Sequence, residues 1–349
     1  MNEPYQRPAG TGDGLRLHLN ENTAGCSPRV LEALAALSAI DVAFYPDYDA
    51  VYREAATYLG VPEERLLLVN GLDEGILMAT IVALLQRPAD GASAEFVVVQ
   101  PAFDMYAITA RACGGRVVNV APRSDFEFPL RGVLAAVTPR TRLIFVTSPN
   151  NPTGVRVSND DIRAVATALP PGALVLVDEA YHDFCGDTAL PLVDSCPNVI
   201  VGRTFAKAHG LAALRAGALM GTAEALAPFR AVTPPYSLSV AAAVGLRAAL
   251  ADRERLAWYV GQVTESRAMM YDFCRRRGFV SWPSGANFVL ARVGPQSAAL
   301  VAHLAASGIH IRDKSGDPGC DGCIRVTTGV VADTTRCLVA MEEFLCAGR

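Results

Sequence analysis

Long basic stretches are missing from this 349-residue chain. Its 31 Lys and Arg are scattered against 35 Asp and Glu, for a formal net charge of -4. No aromatic-basic interleaving occurs either, so nucleic acid is excluded as a partner. Apolar residues reach 51%, enough for a sizeable core. Even so, the longest apolar stretches, such as Ala173 to Val177, are strand-length and end at Pro, Gly or Asp. None approaches the ~20 apolar residues of a membrane span. Met1 to Gly14 is polar and has no apolar h-region, so the expectation is a soluble protein without a signal peptide. The nine cysteines are odd in number, and only Cys320 and Cys323 form a C-x-x-C. A zinc site needs a second ligand pair, and none follows, so no metal is expected. The C-x-x-C reads as part of a Gly-rich turn (Gly316, Gly319, Gly322) with incidental thiols, and the pattern fits a reducing cytosol. Internal repeats and low-complexity tracts are absent. Gly10-x-Gly12-x-Gly14 precedes any buried strand, which argues against a dinucleotide-dependent dehydrogenase.

What is present is an alternation of elements in a chain too long for one simple core. Arg16 to Leu19 reads as a short strand. Ser27 caps a helix with Pro28 at its first position, running to about Ser38. A second helix covers Ala50 to Leu59, and a strand at Leu66 to Val69 leads into a helix from about Asp73 to Leu85. Phe96 to Val99, Leu143 to Thr147, Leu174 to Val177 and Val199 to Val201 are apolar at every position. That pattern suits strands covered on both faces, hence a parallel sheet between helices. Helices at Tyr106 to Cys113 and Asp160 to Ala168 supply crossovers, and Ala216 to Met220 adds a strand. After Pro234-Pro235 two long helical patterns, Ser239 to Ala251 and Asp252 to Arg276, precede strands at Asn287 to Val293, Ile309 to Ile311 and Ile324 to Thr327 and a final helix. The expected division is a large α/β domain over 41–234 and a smaller α+β domain over 1–40 and 235–349.

Four loops fall at the carboxyl ends of apolar strands, where open α/β sheets bind ligands. Asn70-Gly71-Leu72-Asp73 opens a helix whose first N–H groups form an anion site, although an ordinary strand-to-helix turn reads the same. Ser148 to Gly154, with two Pro and two Asn, is a rigid loop presenting side-chain amides. Asp178 closes an apolar run, where a carboxylate is costly unless it is paired or hydrogen-bonded, and Tyr181 directs a phenol into the same region. A helix cap is the other reading of Asp178. Lys207 sits past a buried strand among small residues, where desolvation lowers an amine's pKa as a Schiff-base lysine requires; Arg215 follows eight residues later. An amine, a carboxylate, a phenol, an amide and a phosphate-binding turn are together what pyridoxal phosphate requires.

With these residues in view, the chain resembles the fold-type I, class I/II aminotransferases, most of all their histidinol-phosphate branch. The likeness runs from Leu19-Asn20-Glu21-Asn22 to the C-terminal helix. It is carried by Tyr45-Pro46-Asp47, Ser148 to Gly154, Asp178-Glu179-Ala180-Tyr181, Thr204 to Lys207 with Arg215, Ala286-Asn287-Phe288 and Arg325-Val326-Thr327. The resemblance implies a fold type I PLP-transferase, a mostly parallel central sheet sandwiched by helices plus a smaller α+β domain. It implies a cytoplasmic homodimer that moves an amino group between histidinol phosphate and 2-oxoglutarate in histidine biosynthesis. On that basis Lys207 holds pyridoxal 5'-phosphate as a Schiff base and shuttles the proton between Cα and C4′, and Asp178 keeps the pyridine nitrogen protonated. Tyr181 and Asn151 bond the ring's 3-oxygen, Phe103 stacks on its face, and Leu72, Asp73, Thr204 and Arg215 hold the phosphate. Tyr45 reaches the phosphate in the partner subunit. Arg325 and Arg312 grip the substrate anion, with Asn20 beside them. Without the resemblance, Arg312 followed by Asp313 also reads as a surface ion pair of little energetic worth.

Three departures from the family pattern involve four positions. Ala206 stands where Ser is frequent, Leu72 where Ser is common, and Ala24 and Cys26 where relatives carry Tyr and Pro. These changes leave the chemistry intact and bear on substrate choice. Aromatic amino-acid transamination, for which Ala24 leaves room, and decarboxylation of phosphothreonine use the same scaffold and stay open.

Overall fold

The computed structural model describes residues 13–347. Gly10, Gly12 and most of the Met1 to Gly14 segment therefore lie outside the described residues. The thirteen strands are β1 (Leu15–Arg16), β2 (Leu66–Asn70), β3 (Glu95–Val99), β4 (Arg116–Val120), β5 (Thr141–Thr147), β6 (Leu174–Asp178), β7 (Val199–Thr204), β8 (Ala216–Met220), β9 (Val280–Ser281), β10 (Phe288–Arg292), β11 (Ile309–His310), β12 (Arg312–Asp313) and β13 (Cys323–Thr327).

Seven of them form one sheet in the order β2-β8-β7-β6-β5-β3-β4, in which β8 alone runs opposite to the other six. The runs read as apolar throughout are buried on both faces, one face packing around Val97, Ile144 and Val177 and the other around Phe96, Phe145 and Leu176. Helices Gly71–Leu85 and Met105–Ala112 cover the second face. This is the α/β sandwich that apolar strands require.

Because β3, β5, β6 and β7 are parallel, their carboxyl ends meet at one rim. Register places Asp178 beside Thr147 and Gly202, and Thr204 beside Gly217. Antiparallel β8 starts at that rim, so Arg215, the residue before it, arrives there as well. A second sheet, β12-β13-β10-β9, is antiparallel throughout, and Arg312 stands directly opposite Arg325. β1 pairs in parallel with β11, which fastens the N-terminal segment to the later part of the chain.

Several boundaries differ from the sequence reading. The Pro28 helix ends at Ala35, because Ser38 and Asp41 form a reciprocal capping box that starts Ala39–Ala43. The helix expected from Asp73 starts at Gly71, whose φ of 71° suits glycine. The first strand is Leu15–Arg16 rather than Arg16 to Leu19, since its register follows Ile309 and His310. β7 reaches Thr204, three residues beyond the Val199 to Val201 run, so Arg203 and Thr204 belong to the strand. The turn with Cys320 and Cys323 is largely exposed, but the two cysteines are buried and pack with Phe126, Trp282 and Leu290. No helix among the described residues is long and apolar enough to cross a membrane.

Candidate active site

The rim encloses a cavity of about 370 Å³ lined by every site residue singled out in the sequence except Tyr45. Lys207 follows β7, and its Nζ donates to the carbonyl of Leu19 at 3.0 Å. Burial, helped by the nearby Arg325 guanidinium, pulls the amine down to about 8. A fraction of such an amine is unprotonated near neutrality, which nucleophilic or base chemistry demands.

Asp178 ends β6 and is buried. Its Oδ2 accepts from the Tyr106 hydroxyl at 2.6 Å and its Oδ1 from the Ala180 N–H at 2.9 Å. Tyr106 in turn accepts from Thr147 Oγ1 at 2.9 Å. Burial lifts the carboxyl to about 6 despite both hydrogen bonds, and no cation pairs with it among the described residues. A buried carboxylate on a cavity wall calls for a positive partner from within the cavity. Tyr181 is buried too, its hydroxyl accepts from Asn20 Nδ2 at 2.9 Å, and burial raises it to about 12.

One end of the cavity is built from two distant segments. Register pairs Asn70 with Ala216, so the turn opening helix Gly71–Leu85 lies against the residue after Arg215. The Asn70 side chain does not cap that helix, leaving the first N–H groups directed at the rim. Arg215 Nη2 donates to Asp73 Oδ2 at 2.7 Å, and Thr204 lines the same end. Glycines keep this cradle open. A Cβ at Gly71 would stand 2.4 Å from Arg215 Nη2, and one at Gly217 would stand 2.8 Å from the Leu72 nitrogen. The cradle therefore has the shape and donors for a phosphate. Gly217→Ala is expected to weaken phosphate-dependent cofactor retention about 5- to 100-fold, the equivalent of the ~1–3 kcal/mol that overpacking costs. A cofactor Kd equal to the parent's, by equilibrium titration, would remove the cradle from this account.

At the opposite end Arg325 bridges segments. Its Nη1 donates to Asn151 Oδ1, its Nη2 donates to the His18 carbonyl at 2.6 Å, and its guanidinium lies 5.4 Å from the Phe288 ring centre. Asn151 lines the cavity with its amide oxygen committed to Arg325. Arg312 makes no ion pair with Asp313 among the described residues, so the surface-pair reading has no support. Phe103 stands on the wall, edge-on to Tyr106 at 5.7 Å. Tyr45 lies outside this cavity, 77% exposed and stacked on Tyr236 with ring centres 4.0 Å apart.

Among the lining residues that sequence reasoning missed are Tyr106, His18 and Lys314. Tyr106 reads from sequence only as the start of a helix; a tyrosine in the first turn of a helix that follows a strand-end loop was the available signal. His18 and Lys314 flank Asn20 and Arg312 respectively and carried no motif of their own.

The model for aminotransferase class I and II matches residues 12–341. The chain belongs to that aminotransferase family. Among curated relatives of this aminotransferase, the histidinol-phosphate aminotransferase of Roseobacter denitrificans is 34% identical over 97% of the chain and 95% of its own length. That of Methanocella arvoryzae is 36% identical over 94% and 89%. The solved histidinol-phosphate aminotransferase of Sinorhizobium meliloti, in complex with pyridoxal-5'-phosphate, superposes with a TM-score of 0.85 at 29% identity, covering 97% of this chain and 92% of that one. The aspartate aminotransferase of Thermus thermophilus shares the fold, with a TM-score of 0.77 at 22% identity over 94% and 91%. The expected fold type I architecture is thus borne out.

Proposed function

We propose that this aminotransferase uses pyridoxal 5'-phosphate to move the amino group of histidinol phosphate to 2-oxoglutarate, giving imidazole-acetol phosphate and glutamate. The observation that carries the substrate reading is the pair Arg312 and Arg325, opposite one another on β12 and β13 and both lining the Lys207 cavity. Two guanidinium groups suit a phosphate, which carries more charge than a carboxylate. The relatives named above carry the same substrate in their names.

The bound cofactor supplies an electron sink that stabilises negative charge at the substrate's Cα. Around it the chain has separate tasks. Arg215, Thr204 and the N–H groups of Leu72 and Asp73 bind the phosphate. Asp178, held by Tyr106, keeps a proton on the pyridine nitrogen. Tyr181 and Asn151 hydrogen-bond the 3-oxygen, and Phe103 covers one ring face. Lys207 would hold the cofactor through its Nζ and, as a buried amine with a lowered pKa, would serve as the base that moves the proton at the substrate's Cα. Asn20 orients Tyr181 from the substrate side.

The same reading carries a homodimer, in which exposed Ile40, Val42, Phe44 and Tyr45 are covered and Tyr45 reaches the partner subunit's phosphate cradle. It also carries a cytoplasmic location and a division into a large unit over 41–234 and a smaller one over 1–40 and 235–349. Helices Pro28–Ala35 and Val240–Ala251, which pack into the large sheet's core, bind those units together.

The experiment is a single turnover of holoenzyme with histidinol phosphate, phenylalanine and phosphothreonine in parallel. Histidinol phosphate is expected to bleach the visible band fastest, and no bleaching with it ends this substrate reading. In Arg312→Ala, KM for histidinol phosphate is expected to rise about 10- to 100-fold, because a charge-assisted hydrogen bond contributes ~1.5–3 kcal/mol. Phenylalanine should change far less, and equal losses would show that Arg312 does not read phosphate.

A further inference from the structure

His18 is a buried polar side chain that the chemistry above leaves unused. It lies just past β1, is 3% exposed, and neither ring nitrogen has a hydrogen-bond partner. The ring lines the Lys207 cavity. Its backbone is committed elsewhere, the carbonyl accepting from Arg325 Nη2 at 2.6 Å. The ring itself meets the His310 ring at 5.7 Å. Burial, reinforced by His310, Arg16, Arg312 and Arg325, pulls the imidazole down to about 4, so it stays neutral at physiological pH.

A neutral imidazole always presents one N–H donor and one acceptor. Leaving both unsatisfied in a buried position is unfavourable, and an apolar side chain of similar size would avoid it. Such a group on a cavity wall is matched by a ligand that enters the cavity. The surroundings specify the ligand's charge, since three cationic side chains, Arg312, Arg325 and Lys314, line the same cavity.

From this placement we infer that His18 is a specificity-determining residue, donating its imidazole N–H to a non-bridging oxygen of a phosphomonoester held by Arg312 and Arg325. The inference rests on the substrate reading above and extends it to a third residue. Being neutral, His18 adds a directed hydrogen bond without more charge. It therefore favours a tetrahedral phosphoryl group, which offers an oxygen in a third direction, over a planar carboxylate already matched by one arginine fork.

The test uses cofactor-loaded parent, His18→Leu and His18→Gln. In His18→Leu, KM for histidinol phosphate is expected to rise about 10-fold, with most of the loss in KM, as for one lost hydrogen bond to a charged group. KM for 2-oxoglutarate, measured in the opposite half-reaction, should move less than about twofold by the same reasoning. His18→Gln, which keeps a donor, should recover most of the affinity. A second readout needs no turnover. Inorganic phosphate should raise the parent holoenzyme's melting temperature, its cofactor cradle being already filled. That shift should shrink in His18→Leu, while His18→Leu without phosphate melts at or above the parent. Equal KM increases for phosphorylated donor and 2-oxoglutarate would overturn the inference, as would an undiminished phosphate shift or a lower ligand-free melting temperature. Should the parent fail to accept histidinol phosphate at all, the substrate reading falls, and the melting comparison still decides whether His18 meets phosphate.

Discussion

Lys207→Ala is expected to purify without the visible band of the lysine-linked cofactor and to lose at least ~10²–10⁴-fold in kcat, the contribution of a positioned proton-transfer group. Absorbance after reconstitution and the initial transamination rate measure both. A variant that keeps the band would remove Lys207 from the centre of this account. The buried amine also leaves a mark on cofactor-free protein. Its pKa falls from 10.5 to about 8 on folding, so between those values the folded chain binds fewer protons than the unfolded one. Stability contributed by this group therefore rises as pH climbs through that window, and its cost is fully present below it. Lys207→Met should flatten that part of the stability profile, and identical profiles for the two proteins would contradict the burial of the amine.

The second large effect concerns Asp178. Asp178→Asn keeps the shape and removes the negative charge, so the protonated ring nitrogen loses its buried partner. Breaking such a pair costs about 3–5 kcal/mol, which corresponds to ~10²–10⁴-fold in the rate of the first half-reaction. Rapid-mixing measurement of that half-reaction decides it, and a rate within about threefold of the parent would mean that ring protonation does not depend on Asp178. Tyr106→Phe should lie between the two, since it removes one hydrogen bond from Oδ2 and keeps the carboxylate.

Much of this site was legible because it is local. Strands buried on both faces have no alternation to misread, so Leu143 to Thr147 and Val199 to Val201 stood out, and the loops after them carried the amide, carboxylate and amine. Residues 116–120 escaped because β4 borders the sheet and is only partly covered. Helix Ala223–Val232 escaped because Pro228 interrupts its pattern. Long-range register was invisible for the same physical reason in each case. Nothing near Arg312 announces that β12 sets it opposite Arg325, and nothing near His18 announces that the pairing of β1 with β11 carries it to the cavity. Tyr106 reaches Asp178 from a helix, across 72 positions of sequence.

Among the described residues β2 is one of the two edge strands of the large sheet, with β8 as its single neighbour there. The turn after β2 and the arginine before β8 lie together, so on the proposed chemistry a phosphate seated there would act as a rivet through this margin of the sheet. Ligand at a hundred times its Kd adds about 2.7 kcal/mol against opening. On the proposed chemistry, the vitamin that performs the reaction also keeps that margin from peeling away.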